Sequence, residues 1–223
     1  MDLQLDVIVL TECWTSAESS PPLLAHYNMF YSRNSLNQND GIVAYVRSEW
    51  NSTCHEPVMA EGNCLVLTIN NNYSVVCSYR PPSFTNPYPY LQSLDIILQQ
   101  INTKDIIFTG DINLDTINDN ISNHTNEYLN LMAMHGLLPG INQPTRNNAC
   151  LDHFMIKTLK PCHTATLPEL TDHKPIILFI DEPSQTKPQP KKTYKIDMQK
   201  LHLCPRGQTV NLFSVHSLYK IYF

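Results

Sequence analysis

Short apolar runs that each end in polar residues constrain this chain more than any other feature. They are "DVIVLT" (6–11), "GIVAYVR" (41–47), "CLVLTI" (64–69), "YSVVCSY" (73–79), "DIIFTG" (105–110), "LDHFMI" (151–156) and "PIILFI" (175–180). Runs this short, rich in β-branched residues and bounded by turn formers, are buried strands rather than helices. Two stretches show helical spacing instead: Leu91, Leu94, Ile97, Leu98 and Ile101 after a Pro-rich turn, and Tyr128, Leu129, Leu131 and Met132 before Gly136. Hairpin-like runs followed by helix–strand alternation point to a mixed α and β domain, with two sheets face to face and helices outside. No internal repeat is visible. A length of 223 residues suits one sizeable core. After Ile180 the composition shifts to "DEPSQTKPQPKKTYK", too poor in apolar side chains to fold alone. The expected organisation is one domain over residues 1–182, followed by a Pro/Lys-rich linker and an unassigned tail over 183–223.

Charge and cysteine usage narrow the setting. A net charge of -5 and an isoelectric point near 5.9 exclude a chain coated in basic residues, although a local basic groove survives such an average. The seven cysteines, Cys13, Cys54, Cys64, Cys77, Cys150, Cys162 and Cys204, are odd in number and contain no Cys-x-x-Cys pair. They indicate neither a disulfide framework nor a zinc site, and suit a reducing compartment. The N-terminal "MDLQLDVIVLTECW" carries acids where a signal peptide is basic, and its apolar run is too short for a membrane span. The Asn-x-Ser/Thr triplets at Asn51, Asn72, Asn120 and Asn123 then read as accidents of an Asn-rich chain. The expected setting is intracellular, nuclear or cytoplasmic, with no membrane association.

The polar ends of the strands carry the chemistry. Glu12 follows "VIVLT", Tyr79 and Arg80 follow "SVVCS", Asp111 and Asn113 follow "IIFTG", Asp152 lies in "CLDHF", and Asp172 and His173 lie in "LTDHKPI". Brought to one edge, they would form a cluster suited to cleaving a phosphodiester. Hydrolysis of that bond needs a hard divalent cation held by oxygen ligands, a role open to Glu12 and the other acids. It needs a carboxylate that holds the attacking water, for which Asp111 is best placed, with Asn113 orienting water or phosphate. It also needs a donor on the non-bridging oxygens, which His173 can be if a carboxylate such as Asp152 fixes its tautomer. Each motif alone has an ordinary structural reading: Gly-Asp-x-Asn as a strand-to-turn signal, Thr-Asp-His as a helix cap, and Tyr-Arg-Pro-Pro as a turn.

Order and spacing raise the combination above its parts. "LTECW", "GIVAYVR", "YRPPS", "TGDINLD", "PTRNNACLDHF" and "TDHKPI" together resemble the endonuclease/exonuclease/phosphatase superfamily, most closely the apurinic-type endonuclease domain of non-LTR (LINE-like) retrotransposons, over about residues 6–182. The resemblance implies a four-layer α/β sandwich of two mixed sheets flanked by helices, and a Mg²⁺- or Mn²⁺-dependent endonuclease that nicks one strand of a target DNA duplex. It implies that Glu12 and Asp172 lie at the metal and that Tyr79 contacts the scissile phosphate. Asp111 and Asn113 would then activate and orient water, His173 would stabilise developing charge, and Asp152 would orient His173. Thr145, Arg146 and Arg80 would lie near the nucleic acid. No reverse-transcriptase motif occurs in the sequence.

One departure bears on both fold and activity. Family members begin with a strand carrying an Asn that contacts the site, followed by a helix, whereas here Met1 lies only eleven residues before Glu12. The expectation is a sheet lacking a strand beside "DVIVLT", with that strand exposed or abnormally paired. A lost Asn would weaken catalysis. The alternative reading is therefore a weak or inactive domesticated remnant that at most binds nucleic acid or a partner.

Overall fold

The computed structural model describes residues 5–14, 20–34, 40–118, 121–169, 171–181 and 217–222. Asn120, Cys204 and the linker stretch 182–216 lie outside the described residues. In chain order the elements are β1 (Val7–Thr11), β2 (Tyr27–Tyr31), β3 (Ile42–Arg47), β4 (Ser52–His55), β5 (Asn63–Ile69), β6 (Tyr73–Tyr79), α1 (Tyr88–Gln99), β7 (Asp105–Asp111), α2 (Asn123–Met134), β8 (Leu138–Pro139), β9 (Asp152–Lys157), β10 (Cys162–Thr166), β11 (Ile176–Ile180) and β12 (Ser217–Tyr222). All seven apolar runs of the sequence are strands, and both helical stretches are helices.

The strands form two six-stranded sheets in the orders β10-β11-β12-β1-β3-β2 and β4-β5-β6-β7-β9-β8. Each sheet is mixed, with one parallel pair: β11 with β12 in the first and β6 with β7 in the second. The facing sides of the sheets make one core from Val7, Val9, Ile42, Ala44 and Val46 on one side and Leu65, Leu67, Val75, Cys77, Ile107 and Phe154 on the other. Strands buried on both faces explain why the sequence reads as continuous apolar runs rather than clean alternation. The expected α/β sandwich of two mixed sheets is what forms. Both helices pack on the outer face of the second sheet, through Tyr90, Leu94, Ile97 and Leu98 of α1 and Tyr128 and Met132 of α2 against Val76, Phe108 and Met155. The outer face of the first sheet packs Ile8, Val43 and Tyr45 against Leu24, Tyr27 and Met29.

Local chemistry fixes the ends of the helices. Pro89 stands in the first turn of α1, where its missing N–H costs nothing and its fixed φ suits the helix. Ser122 caps α2, its hydroxyl accepting from the Thr125 amide at 3.1 Å. Gly136, at φ 76°, follows the end of α2 in a left-handed conformation that glycine adopts without penalty.

The expected gap beside "DVIVLT" is absent. The C-terminal strand β12 lies there, antiparallel to β1 with Val7 opposite Ile221 and Thr11 opposite Ser217, while β3 pairs with the other side of β1. Val7 and Val9 are buried, and so is Ile221, which joins the inter-sheet core. The end of the tail, expected to stand apart from the domain, is a strand inside its first sheet.

Candidate active site at the joint between the sheets

The two sheets contribute in different ways to one cluster. From the second sheet, β6 and β7 run parallel with Tyr79 beside Asp111, and β7 pairs antiparallel with β9 so that Asp111 stands opposite Asp152. Three site residues thus come from one edge of the sheet by register alone. Gly110 permits this approach. A Cβ at that position would sit 1.7 Å from the Ser78 carbonyl oxygen, and its φ is 155°. The glycine of Gly-Asp-x-Asn is thus required by the closeness of β6 and β7. From the first sheet, Glu12 immediately follows β1, and His173 precedes β11 by three residues.

Hydrogen bonds join the halves. The Tyr79 hydroxyl donates to Glu12 Oε1 at 2.6 Å, linking β6 to the end of β1. His173 Nδ1 and Asp152 Oδ2 are 2.7 Å apart, linking β9 to the segment before β11. Asp111, Asp152 and His173 are all buried, and their ligand atoms lie within 4.8 Å of one another. This buried Asp-Asp-His group could hold a metal ion. Glu12 and Asn113 both have positive φ, at 53° each, so the backbone turns sharply just after both site-bearing strands. The Asn113 amide donates to Asp111 Oδ1 at 3.2 Å, and its side chain donates to the Arg80 carbonyl at 3.0 Å.

Burial and crowded charge perturb these groups. Burial, with the Asp152 charge beside it, pushes the Asp111 carboxyl well above its usual range; Glu12 adds to this and His173 opposes it. Burial alone would lower the His173 imidazole. The hydrogen bond and charge of Asp152, reinforced by Asp111 and Asp172, outweigh it and raise the pKa. Burial raises the Tyr79 phenol, and the bond to Glu12 raises it further, so Tyr79 is a neutral donor at physiological pH. Carboxylates outnumber cations in the cluster, a state that a bound cation would relieve.

The other sequence-derived residues are placed as follows. Asp172 is half-exposed and lies 2.7 Å from Arg146, also half-exposed, in an ion pair beside the cluster. Thr145 is buried, and its hydroxyl accepts from the Leu151 and Asp152 amides at 3.0 and 3.1 Å, fixing the start of β9. Arg80 is buried too, with its guanidinium donating to the carbonyls of Ile112 and Phe84. The structure brings Glu12, Tyr79, Asp111, Asn113, Asp152, Asp172 and His173 to one region. Arg80 and Thr145 turn inward and brace its loops, so that of the three residues expected near nucleic acid only Arg146 is half-exposed.

Two acids not singled out in the sequence belong to this neighbourhood. Asp40 is buried, and its charge acts on Tyr79; its stretch "NQNDG" reads only as a turn. Asp115 accepts from the Cys150 amide at 3.0 Å and the Ile117 amide at 3.2 Å, tying the loop after β7 to the loop before β9. The second acid of "GDINLD" was a visible signal for it. The neighbouring His153 is structural: its ring bonds to the Tyr128 hydroxyl and the Cys150 carbonyl, each at 3.0 Å, and burial lowers its pKa. Compared with known proteins, the chain matches no family model and no curated protein.

Proposed function

We propose that this chain is a divalent-metal-dependent phosphodiester hydrolase that nicks DNA, as its motif resemblance to retrotransposon endonucleases implies. The observation that carries this reading is the buried group Asp111, Asp152 and His173, with the Tyr79–Glu12 pair at the same sheet edge. His173 commits Nδ1 to Asp152, so the donors left to dominate are carboxylate oxygens of Asp111, Asp152 and Glu12. Oxygen donors favour Mg²⁺ or Mn²⁺ over softer metals.

The chain's own residues then divide the work. A bound cation would neutralise charge on the phosphate. Asp111, with its affinity for a proton raised by burial, is suited to take one from an attacking water. His173, its proton held by Asp152, presents positive charge toward developing oxyanion character. Tyr79, kept neutral, offers a hydroxyl to a phosphate oxygen once Glu12 turns toward a cation. Arg146 would meet the DNA backbone as a point of charge-assisted contact.

The test is nicking of supercoiled plasmid by purified protein. The reading expects nicking with Mg²⁺ or Mn²⁺, none in EDTA, and loss of most activity in both Asp111→Ala and His173→Ala. The losses should not add, because the two residues act on one transition state. Nicking that persists in EDTA or survives Asp111→Ala would sink it. Absence of nicking by folded protein that still binds DNA would leave the non-catalytic remnant as the better reading.

A further inference from the structure

β12 occupies an unusual place for a strand delivered by the far end of the chain. It is the third strand of six, flanked by β11 on one side and β1 on the other, and it is no edge addition. It pairs with both neighbours: Ile176 to Phe179 run parallel beside Tyr219 to Tyr222, and Val7 to Thr11 run antiparallel beside Ile221 to Ser217. A parallel pair needs a crossover of about a dozen residues or more. Residues 181–216 separate β11 from β12, far more than that minimum. Within β12, Ile221 is buried in the same core as Val7, Val9, Ile176 and Leu178.

The strands on either side of β12 carry the two site arms of the first sheet. β1 leads into Glu12, and β11 follows Asp172 and His173. In the observed sheet order, β1 and β11 do not pair with each other; β12 is what joins them. Removing it would open a gap of one strand spacing and orphan backbone donors and acceptors on both neighbours.

We propose that the space between β1 and β11 is a strand-acceptor slot whose occupant is this chain's own segment 217–222, seated in cis, and that its seating holds the Glu12 and His173 arms in register. The acceptor supplies two unsatisfied ladders and an apolar position for Ile221, and the donor supplies an extended strand. Because 217–222 belongs to the same chain, its seating in the slot is an intramolecular event. Strand seating is a structural event, so it stands whether or not the site cleaves DNA.

Hydrogen exchange on the full chain tests it without any activity assay. In the unaltered protein the amides of 217–222 should exchange at least about tenfold more slowly than an unstructured peptide, together with those of β1 and β11. In the full chain carrying Tyr219→Pro, which removes a ladder donor in mid-sheet, protection should fall in 217–222, Val7–Thr11 and Ile176–Ile180 while β5, β6 and β7 keep theirs. Excess synthetic peptide SVHSLYKIYF, residues 214–223, should then restore protection to β1 and β11. The proposal is overturned if 217–222 in the unaltered protein exchanges like free peptide. It is equally overturned if Tyr219→Pro leaves β1 and β11 unchanged, or if the peptide restores nothing to a folded variant. Should Tyr219→Pro unfold the second sheet as well, the exchange of 217–222 in the unaltered chain decides the question.

Discussion

The two sheets of this sandwich hold their share of the same cluster by different means. In the second sheet, β5, β6 and β7 follow one another in the chain and pair in that order, and two helices cover the outer face. Tyr79, Asp111 and Asp152 fall side by side because backbone register puts them there. In the first sheet, the Glu12 and His173 arms are separated by a strand from the opposite end of the chain. One half of the site is therefore set by local sequence order, and the other depends on a long-range closure. Loop-closure entropy opposes such closure until its contacts form. The second sheet should be the more stable half, and the first the place where perturbation loosens the site.

The largest effect should come from the rigid half. Gly110→Ala would drive a Cβ into the Ser78 carbonyl, backbone against backbone, at a φ that L residues rarely adopt. Nothing there can yield by rotating a side chain, so a cost above about 4 kcal/mol is expected. Thermal melting should show a collapsed or unfolded protein; a variant melting within a few degrees of the parent would contradict the strand approach. Next in size is the closure itself. Ile221→Ala removes a buried side chain from the inter-sheet core and should cost about 2–5 kcal/mol. Limited proteolysis should then cut the C-terminal strand first and leave fragments containing β5 to β7. Cleavage within β6 or β7 ahead of β12 would reverse the ranking of the two halves.

A smaller effect of opposite sign should arise where the halves meet. Two buried carboxylates crowd Asp111 and Asp152 around His173, and ionised Asp111 is costly without a cation. Asp111→Asn in EDTA should therefore raise Tm, by about 2–4 °C if the relief is near 1 kcal/mol. Mn²⁺ should raise the Tm of the parent and leave that of the variant unchanged, because ligand binding stabilises only a chain that binds it. Glu12→Gln, on the other half, should also weaken Mn²⁺ affinity, by about tenfold or more. A metal response untouched by both substitutions would move the cation elsewhere.

How much was legible in the sequence follows the same division. The seven central strands announce themselves because burial on both faces demands unbroken apolar runs such as "IVAYV" and "SVVCS". β2, β4 and β10 were not read as strands: "YNMFY", "STCH" and "CHTAT" are half-exposed, so their pattern is mixed. β12 was missed for another reason. "SLYKIY" could be a strand, but only its partners far away in the chain make it one, and no local pattern names them. In the site, residue types at strand ends pointed to Glu12, Asp111, Asp152 and His173, since strand ends converge at a sheet edge. Side-chain direction was not legible. Arg80 and Thr145 have the chemistry of phosphate contacts, yet backbone groups of their own loops claim them.

The smallest effect is expected on the helical face of the rigid half, and it sharpens the comparison by showing what does not matter. α1 and α2 are clasped by Asp95 and His135, with Oδ1 and Nε2 2.7 Å apart. The bond to His135, aided by Gln99, lowers the Asp95 carboxyl below its ordinary 3.8. A carboxyl depressed in the folded state contributes stability that is present above the unfolded value and lost as pH falls through the folded one. The contribution should thus be intact at neutral pH and fade only below about 3.8. Asp95 is half-exposed, however, and exposed pairs are screened and flexible, so Asp95→Asn should cost less than about 1 kcal/mol at pH 7. Denaturant melts at pH 7 and pH 3 should show a small difference between parent and variant that is smaller at the lower pH. A penalty as large as that of Ile221→Ala would mean that the helices, and not the closure by β12, limit the stability of the fold.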